Sequence, residues 1–517
     1  MNALKRTAYL GVAISAIVLS GCFGGGGGGS DDDDQASTPV PIEEKTQAQR
    51  IADGDFTIAQ ADITANFEPI DGVTQFADVL DGAIYRIEVP DDWNGTLIMW
   101  AHGFRGDEPE RLRVDNHPLR EYLLAQGYAW AASSYSANFY DVRAGLVDTN
   151  KLALAFGEIT GLSEPSRYLI SGFSMGGHVA GAAVERENKL ALAQVDLDVN
   201  YQGSLPMCGV MGDTTLFDYF GAYGIALLQF GGQDLSQYPI TPAEAEEKLA
   251  AARDALWVNY ENDPGVTGLR RTQTGELTPE ADRFYKTLQN LTGGVRPIYQ
   301  FSFGGFQSLL QGFVGSDGTV DKILDDNVVD TTYIRYRFES QQPGPNMPGD
   351  PDVTNLTPTE IGFNNTIAQS TPDNNANPAR DDGPPSIPRI NGDFDVPVLT
   401  LHGLGDLFVP FNMEQIYRER AIAFGNDDLL VQRAIRDTGH CTFAPAELVE
   451  AFDAWISWVD EFALVPNATP PAGDEILDPD AVAADNYGCQ FTRANRLEGL
   501  RETQPDLVAS NDCPTPQ

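Results

Sequence analysis

Short apolar runs alternate with amphipathic stretches in two parts of this 517-residue chain, and a long polar and aromatic stretch separates them. Ile84-Tyr-Arg-Ile-Glu-Val-Pro alternates as a half-buried strand does, and Gly95-Thr-Leu-Ile-Met-Trp-Ala is nearly continuous in apolar residues, the mark of a strand covered on both faces. Pro118 to Gln126 reads as a helix stopped by Gly127, and Tyr128-Ala-Trp-Ala-Ala-Ser-Ser as the next strand. Asp141 to Phe156 carries Val142, Leu146, Leu152 and Phe156 at helical spacing. Arg167-Tyr-Leu-Ile-Ser is a further buried strand, Val179 to Glu187 a helix and Asn200 to Leu205 a strand. The pattern resumes with a strand at Val396-Pro-Val-Leu-Thr-Leu, a helix over Met413 to Ala423 and a strand over Leu429 to Ile435. Leu448, Val449, Phe452, Trp455, Ile456 and Val459 line one face of a closing helix. Strand-helix alternation of this kind predicts a mostly parallel sheet flanked by helices.

Between the two parts, Met211 to about Asp395 breaks the rhythm. Thr241-Pro-Ala-Glu opens a helix with a capping box, and Thr278-Pro279 opens another. Gln341 to Pro388 is rich in Pro, Asn, Asp and Gly and predicts irregular loops. This stretch reads as a cap inserted into the sheet domain. Ahead of Ile84, Ala36 to about Val79 is assigned only to a linker and a peripheral layer. The expected organisation is a signal peptide at 1–21, a tether at 22–50, a core at 51–210, the cap at 211–395, the rest of the core at 396–462, and a tail at 463–517.

The extreme N-terminus changes the picture of where the chain works. Lys5 and Arg6 precede an apolar stretch, Ala8 to Ser20, that is too short to span a bilayer comfortably. It ends in Leu19-Ser20-Gly21-Cys22, which resembles the lipobox of bacterial lipoproteins. That resemblance implies cleavage before Cys22, acylation of Cys22 and, with Phe23 rather than aspartate following, anchoring in the outer membrane. Gly24 to Gly29 and Asp31 to Asp34 form a solvated spacer. The net charge of −42 makes nucleic acid and anionic lipid surfaces poor partners, so contact with membrane is expected through the anchor alone. Export implies an oxidising compartment. Apart from Cys22, the cysteines are Cys208, Cys441, Cys489 and Cys513, with three possible pairings. Cys489 and Cys513 bracket the tail and are expected to close it, leaving Cys208 to pair with Cys441. No Cys or His cluster suggests zinc.

The chemistry centres on Gly172-Phe-Ser-Met-Gly-Gly. Ser174 follows a buried strand and precedes a helix, the setting that a nucleophile elbow requires. A serine needs a base, and the chain has five histidines. His178 sits one turn into the elbow helix, His117 lies in a loop without supporting pattern, and His102 and His402 end strands. His440, in Asp437-Thr-Gly-His-Cys, follows the last strand and comes last in the chain, as the order Ser, Asp, His demands. Asp406, just past a buried strand in Leu401-His-Gly-Leu-Gly-Asp-Leu-Phe-Val-Pro, is the candidate acid, with Asp213 and Asp218 as weaker alternatives. Met175 offers one backbone N–H to an oxyanion hole.

Taken together, these segments resemble the α/β-hydrolase superfamily over roughly 84–205 and 396–460, and Ser174, Asp406 and His440 match its three catalytic positions one by one. The resemblance implies an α/β-hydrolase fold with a large cap between the sixth and seventh core strands. It also implies a second oxyanion donor in Trp100-Ala-His-Gly-Phe-Arg-Gly, Phe104 with Gly103 as the alternative. Trp93-Asn-Gly-Thr-Leu-Ile-Met-Trp-Ala-His-Gly-Phe is similar to a group of secreted bacterial esterases and peptidases. Phe173 stands where tannase and feruloyl esterase relatives carry a cysteine beside the serine, so their disulfide between the neighbours of serine and histidine is absent. The expected activity is carboxylic ester hydrolysis through an acyl-enzyme, on a small-molecule or polymeric ester and without metal or cofactor. A serine peptidase and a binding protein on a hydrolase scaffold are the rivals. Cap aromatics (Trp257, Tyr260, Tyr285, Tyr299, Phe301, Phe303, Phe306 and Phe313) are read first as the cap's own core and second as a pocket.

Overall fold

A computed structural model describes residues 47–497 except 107–109, 321–322, 325, 340–354, 381–382 and 466–467, together with Val508 and Cys513. The expected signal peptide, Cys22 and most of the expected tether lie outside the described residues. Among the described residues, no helix is long and apolar enough to cross a membrane.

Eight strands form one sheet: β1 (Val73–Leu80), β2 (Ala83–Pro90), β3 (Thr96–Ala101), β4 (Ala129–Ser133), β5 (Arg167–Phe173), β6 (Tyr201–Met207), β7 (Val398–Gly403) and β8 (Leu430–Ile435). Their spatial order is β1-β2-β4-β3-β5-β6-β7-β8. The pairs β1/β2 and β2/β4 are antiparallel and all others parallel. Strands β3, β4, β7 and β8 are buried along their whole length, as continuous apolar runs predict. Helices α1 (Val142–Leu154) and α2 (Met175–Ala182) pack on one face, in a core that continues into the insertion. The other face is covered by the short helix Arg120–Ala125 and the closing helix.

Strand β1 lies in the stretch assigned only to a linker and a peripheral layer, where no strand is predicted. It is a half-exposed edge strand with Thr74, Gln75 and Asp78 among its residues. The linker expectation for Gln47 and Arg50 also fails: both are buried, with Gln47 bonded to Ser136 and Asp148 and Arg50 paired with Asp141. The predicted Val179–Glu187 helix starts earlier, at Met175, because the elbow leads directly into it.

The insertion leaves the sheet after β6 and returns at β7. Its helices are α3 (Thr215–Phe230), α4 (Pro242–Leu256), α5 (Pro279–Leu291) and α6 (Tyr299–Gln311). Helices α4 and α5 begin at Thr241 and Thr278, with proline in the first turn, and the Thr241–Glu244 capping box forms. Helix α7 (Asn412–Phe424) follows β7, and α8 (Pro445–Leu464) closes the core. Beyond α8 the tail lies along the open edge of β8: Asp474 donates its N–H to Gln432 and accepts from the Ala434 N–H. Ile476, Val482, Tyr487, Leu497 and Val508 pack with Leu404, Phe411 and Ala434. An unpaired strand edge is thereby covered. Cys489 is bonded to Cys513, and Cys208 to Cys441.

Candidate active site

Ser174 sits between β5 and α2 with φ 56° and ψ −122°. This is a costly conformation for a residue with a side chain, and it persists only where the surroundings hold it. The Ser174 N–H donates to the Met207 carbonyl at 3.0 Å, and its carbonyl accepts from His178. The flanking glycines leave room for the turn. A Cβ at Gly172 would collide with the Gly176 carbonyl, and one at Gly176 with the carbonyls of Ala101 and His102. The spacing of Gly-x-Ser-x-Gly is therefore steric: two backbones cross where a methyl group cannot fit.

His440 reaches Ser174 from the loop after β8. Its Nε2 lies 2.8 Å from Ser174 Oγ and its Nδ1 2.5 Å from Asp406 Oδ2. In the resting arrangement the serine hydroxyl donates to Nε2 while Nδ1–H donates to the carboxylate. Asp406 is fully buried, and its other oxygen accepts the N–H groups of Phe408 and Val409 at 3.0 and 3.1 Å. A buried carboxylate held this way orients the imidazole and stabilises its charged form.

The remaining histidines are buried and occupied elsewhere. His117 lies between Ser171 and the Leu119 N–H, and burial lowers its pKa to about 3. His178 joins Tyr140 to the Pro388 carbonyl, and burial lowers it to about 4. His102 stacks on Tyr135 with its ring nitrogens facing the carbonyls of Ser134 and Gly103; burial and then Arg105 lower it to about 4. For His402 burial acts downward, but hydrogen bonding and charge from Glu414 outweigh it and hold the pKa above the usual value. The alternative acids are also engaged away from His440. Asp213 pairs with Arg420, and Asp218 accepts from Tyr333 and the Asp330 N–H.

For the oxyanion site, Met175 is the first residue of α2, where N–H groups have no intrahelical partner. Gly103 lies against Ser174, a Cβ placed on it falling 3.3 Å from Ser174 Cβ, which brings the loop carrying Phe104 alongside the serine.

The expected Cys208–Cys441 bond ties the residue after His440 to the end of β6. Several further supports have no signature in the sequence. Asp437 holds the histidine turn, accepting from the Gly439 N–H and the Thr442 hydroxyl and pairing with Arg496 at 3.2 Å. Arg296 is buried and donates from Nε to the Leu404 carbonyl at 2.6 Å; burial lowers its pKa to about 10. Ser302, on α6, donates to the Thr438 carbonyl at 3.0 Å. Phe408 lies edge-on to His440, ring centroids 5.3 Å apart. Among the described residues, Cys208, His440 and Cys441 converge closely enough to suggest a metal site, but both sulfurs are committed to the disulfide.

A mostly parallel eight-stranded sheet, a strained serine at the β5–α2 turn, and an aspartate and a histidine from the loops after β7 and β8 bonded in series to that serine decide the fold. The chain has the α/β-hydrolase fold. In this fold the insertion lies between the sixth and seventh strands, and the site has the makeup of a serine hydrolase. No family model matches the chain. It is 25% identical over 431 residues to an o-phthalyl amidase of Xanthobacter agilis, covering 75% of this chain and 87% of that protein. Among solved structures it is similar to feruloyl esterase B from Aspergillus oryzae, with 13% identity, 79% of this chain and 90% of that one covered, and a TM-score of 0.37. A second is an esterase B from Lactobacillus rhamnosis, with 12% identity, 78% and 95% covered, and a TM-score of 0.33.

Proposed function

We propose that the chain is a carboxylic ester hydrolase working through a Ser174 acyl-enzyme. The observation that carries this reading is the hydrogen-bonded run from Asp406 through His440 to Ser174 Oγ. His440 takes the hydroxyl proton as Ser174 attacks the ester carbonyl, and the N–H groups of Met175 and Phe104 receive the developing oxyanion. The imidazolium then returns its proton to the departing alcohol. A water activated by the same nitrogen releases the acid. Labelling with a fluorophosphonate tests the nucleophile: the adduct should map to Ser174, and an unlabelled protein would end the hydrolase reading.

Similarity to an amidase favours one specific second reading, cleavage of an amide by the same residues. Matched ester and anilide substrates separate the two by relative kcat/KM. The Cys22 lipobox supports a place in the cell envelope, with an outer-membrane lipid anchor, and the two disulfides fit an oxidising compartment. Loss of fatty-acid incorporation in Cys22→Ser tests the anchor.

A further inference from the structure

The mechanism leaves one cluster beside the site unused. Phe408, from the loop after β7, Phe220, on α3, and Phe313, just after α6, form three nearly parallel rings. Phe220 and Phe313 stack at 4.2 Å and 2°; Phe408 lies 5.8 Å from Phe220 and 6.2 Å from Phe313, tilted 21° from each. Phe220 is 6% exposed, whereas Phe313 and Phe408 are only half-buried. They therefore differ from the cap's own aromatic core of Trp257, Phe284 and Phe303, which is fully buried.

We propose that Phe408 and Phe313, backed by Phe220, wall a leaving-group subsite that selects flat aryl leaving groups. This rests on the Ser174–His440 reading. His440 Nε2 must hand its proton to the leaving oxygen, so whatever that oxygen carries is laid past the imidazole. Phe408 is the ring packed against that imidazole, and Phe313 continues the wall into the cap. An aryl group gains an offset-stacked or edge contact with such a wall that an alkyl group of similar size does not.

The test uses the purified protein and two ester series: phenyl against trifluoroethyl acetate, and phenyl acetate against phenyl benzoate. Phe313→Leu keeps apolar bulk and removes the ring face. It should lower kcat/KM for phenyl acetate about three- to tenfold, leave trifluoroethyl acetate within about twofold, and leave the rate of Ser174 labelling by a small alkyl fluorophosphonate unchanged. Phe313→Trp should retain the aryl preference, so a poorly folding leucine variant does not decide the matter. Equal losses on both acetates, or a selective loss that follows the acyl group, would overturn the subsite while leaving the hydrolase reading intact. A wild-type protein that neither labels nor turns over any ester defeats both.

Discussion

His440 Nε2 and Ser174 Oγ lie 2.8 Å apart although 266 residues separate them in the chain. The contact depends on β5 and β8 ending at the same side of one sheet, with β6 and β7 between them. Ser174→Ala should lower turnover by roughly four to six orders of magnitude with little change in melting temperature. Asp406→Asn, which leaves the shape but upsets the imidazole tautomer, should lower kcat by about 10⁴. Steady-state kinetics on one ester checks both.

The disulfide beside the base makes a separate prediction. Cys208 and Cys441 close a loop with a sequence separation of 233, so the cross-link restricts the unfolded chain strongly, by about 5 kcal/mol in the chain-entropy account. Cys208→Ser with Cys441→Ser should lower both the denaturation midpoint and kcat, because the turn carrying His440 loses its tie to β6. The tail bond between Cys489 and Cys513 is the control: its removal should lower stability and spare kcat.

The steric account of the elbow predicts that Gly176→Ala cannot be accommodated. The new methyl would meet backbone carbonyls of Ala101 and His102 rather than a movable side chain. A loss of about 3 kcal/mol or more is expected, together with loss of fluorophosphonate labelling. Denaturant titration and labelling on the same sample measure the two effects.

Acid should destabilise the fold through the buried histidines with lowered pKa, His102, His117 and His178. His117 is held neutral, with a folded pKa near 3 against 6.5 for the free side chain. Depressed in the fold, it contributes stability that is complete above pH 6.5 and falls away as pH drops toward 3. Within that window its share of the slope is about 1.4 kcal/mol per pH unit. His117→Gln should flatten the pH dependence of unfolding free energy by that amount between pH 6 and 4, measured by denaturant titration. An unchanged slope would mean that the folded imidazole takes up its proton normally.

Residues whose role is set by near neighbours were legible in the sequence, and those set by packing were not. The glycines around Ser174 answer to a local steric demand, and five histidines in an ordered fold leave few choices of base. Strand β1 was missed because it is a half-exposed edge with weak alternation. Its signal was the Asp81-Gly82 turn, both residues at positive φ, which joins it to β2 as a two-residue hairpin loop. Helix α3 is buried on nearly every side, so its sequence lacks the polar stripe that marks a helix. Arg296, Ser302 and Phe408 act through contacts that only the fold brings about.

Arg296 and Ser302 join the insertion to the loops bearing the acid and the base, one bond to each. That border of the insertion is a fixed jamb. Movement of the insertion that keeps these two bonds leaves the loops carrying Asp406 and His440 where they stand.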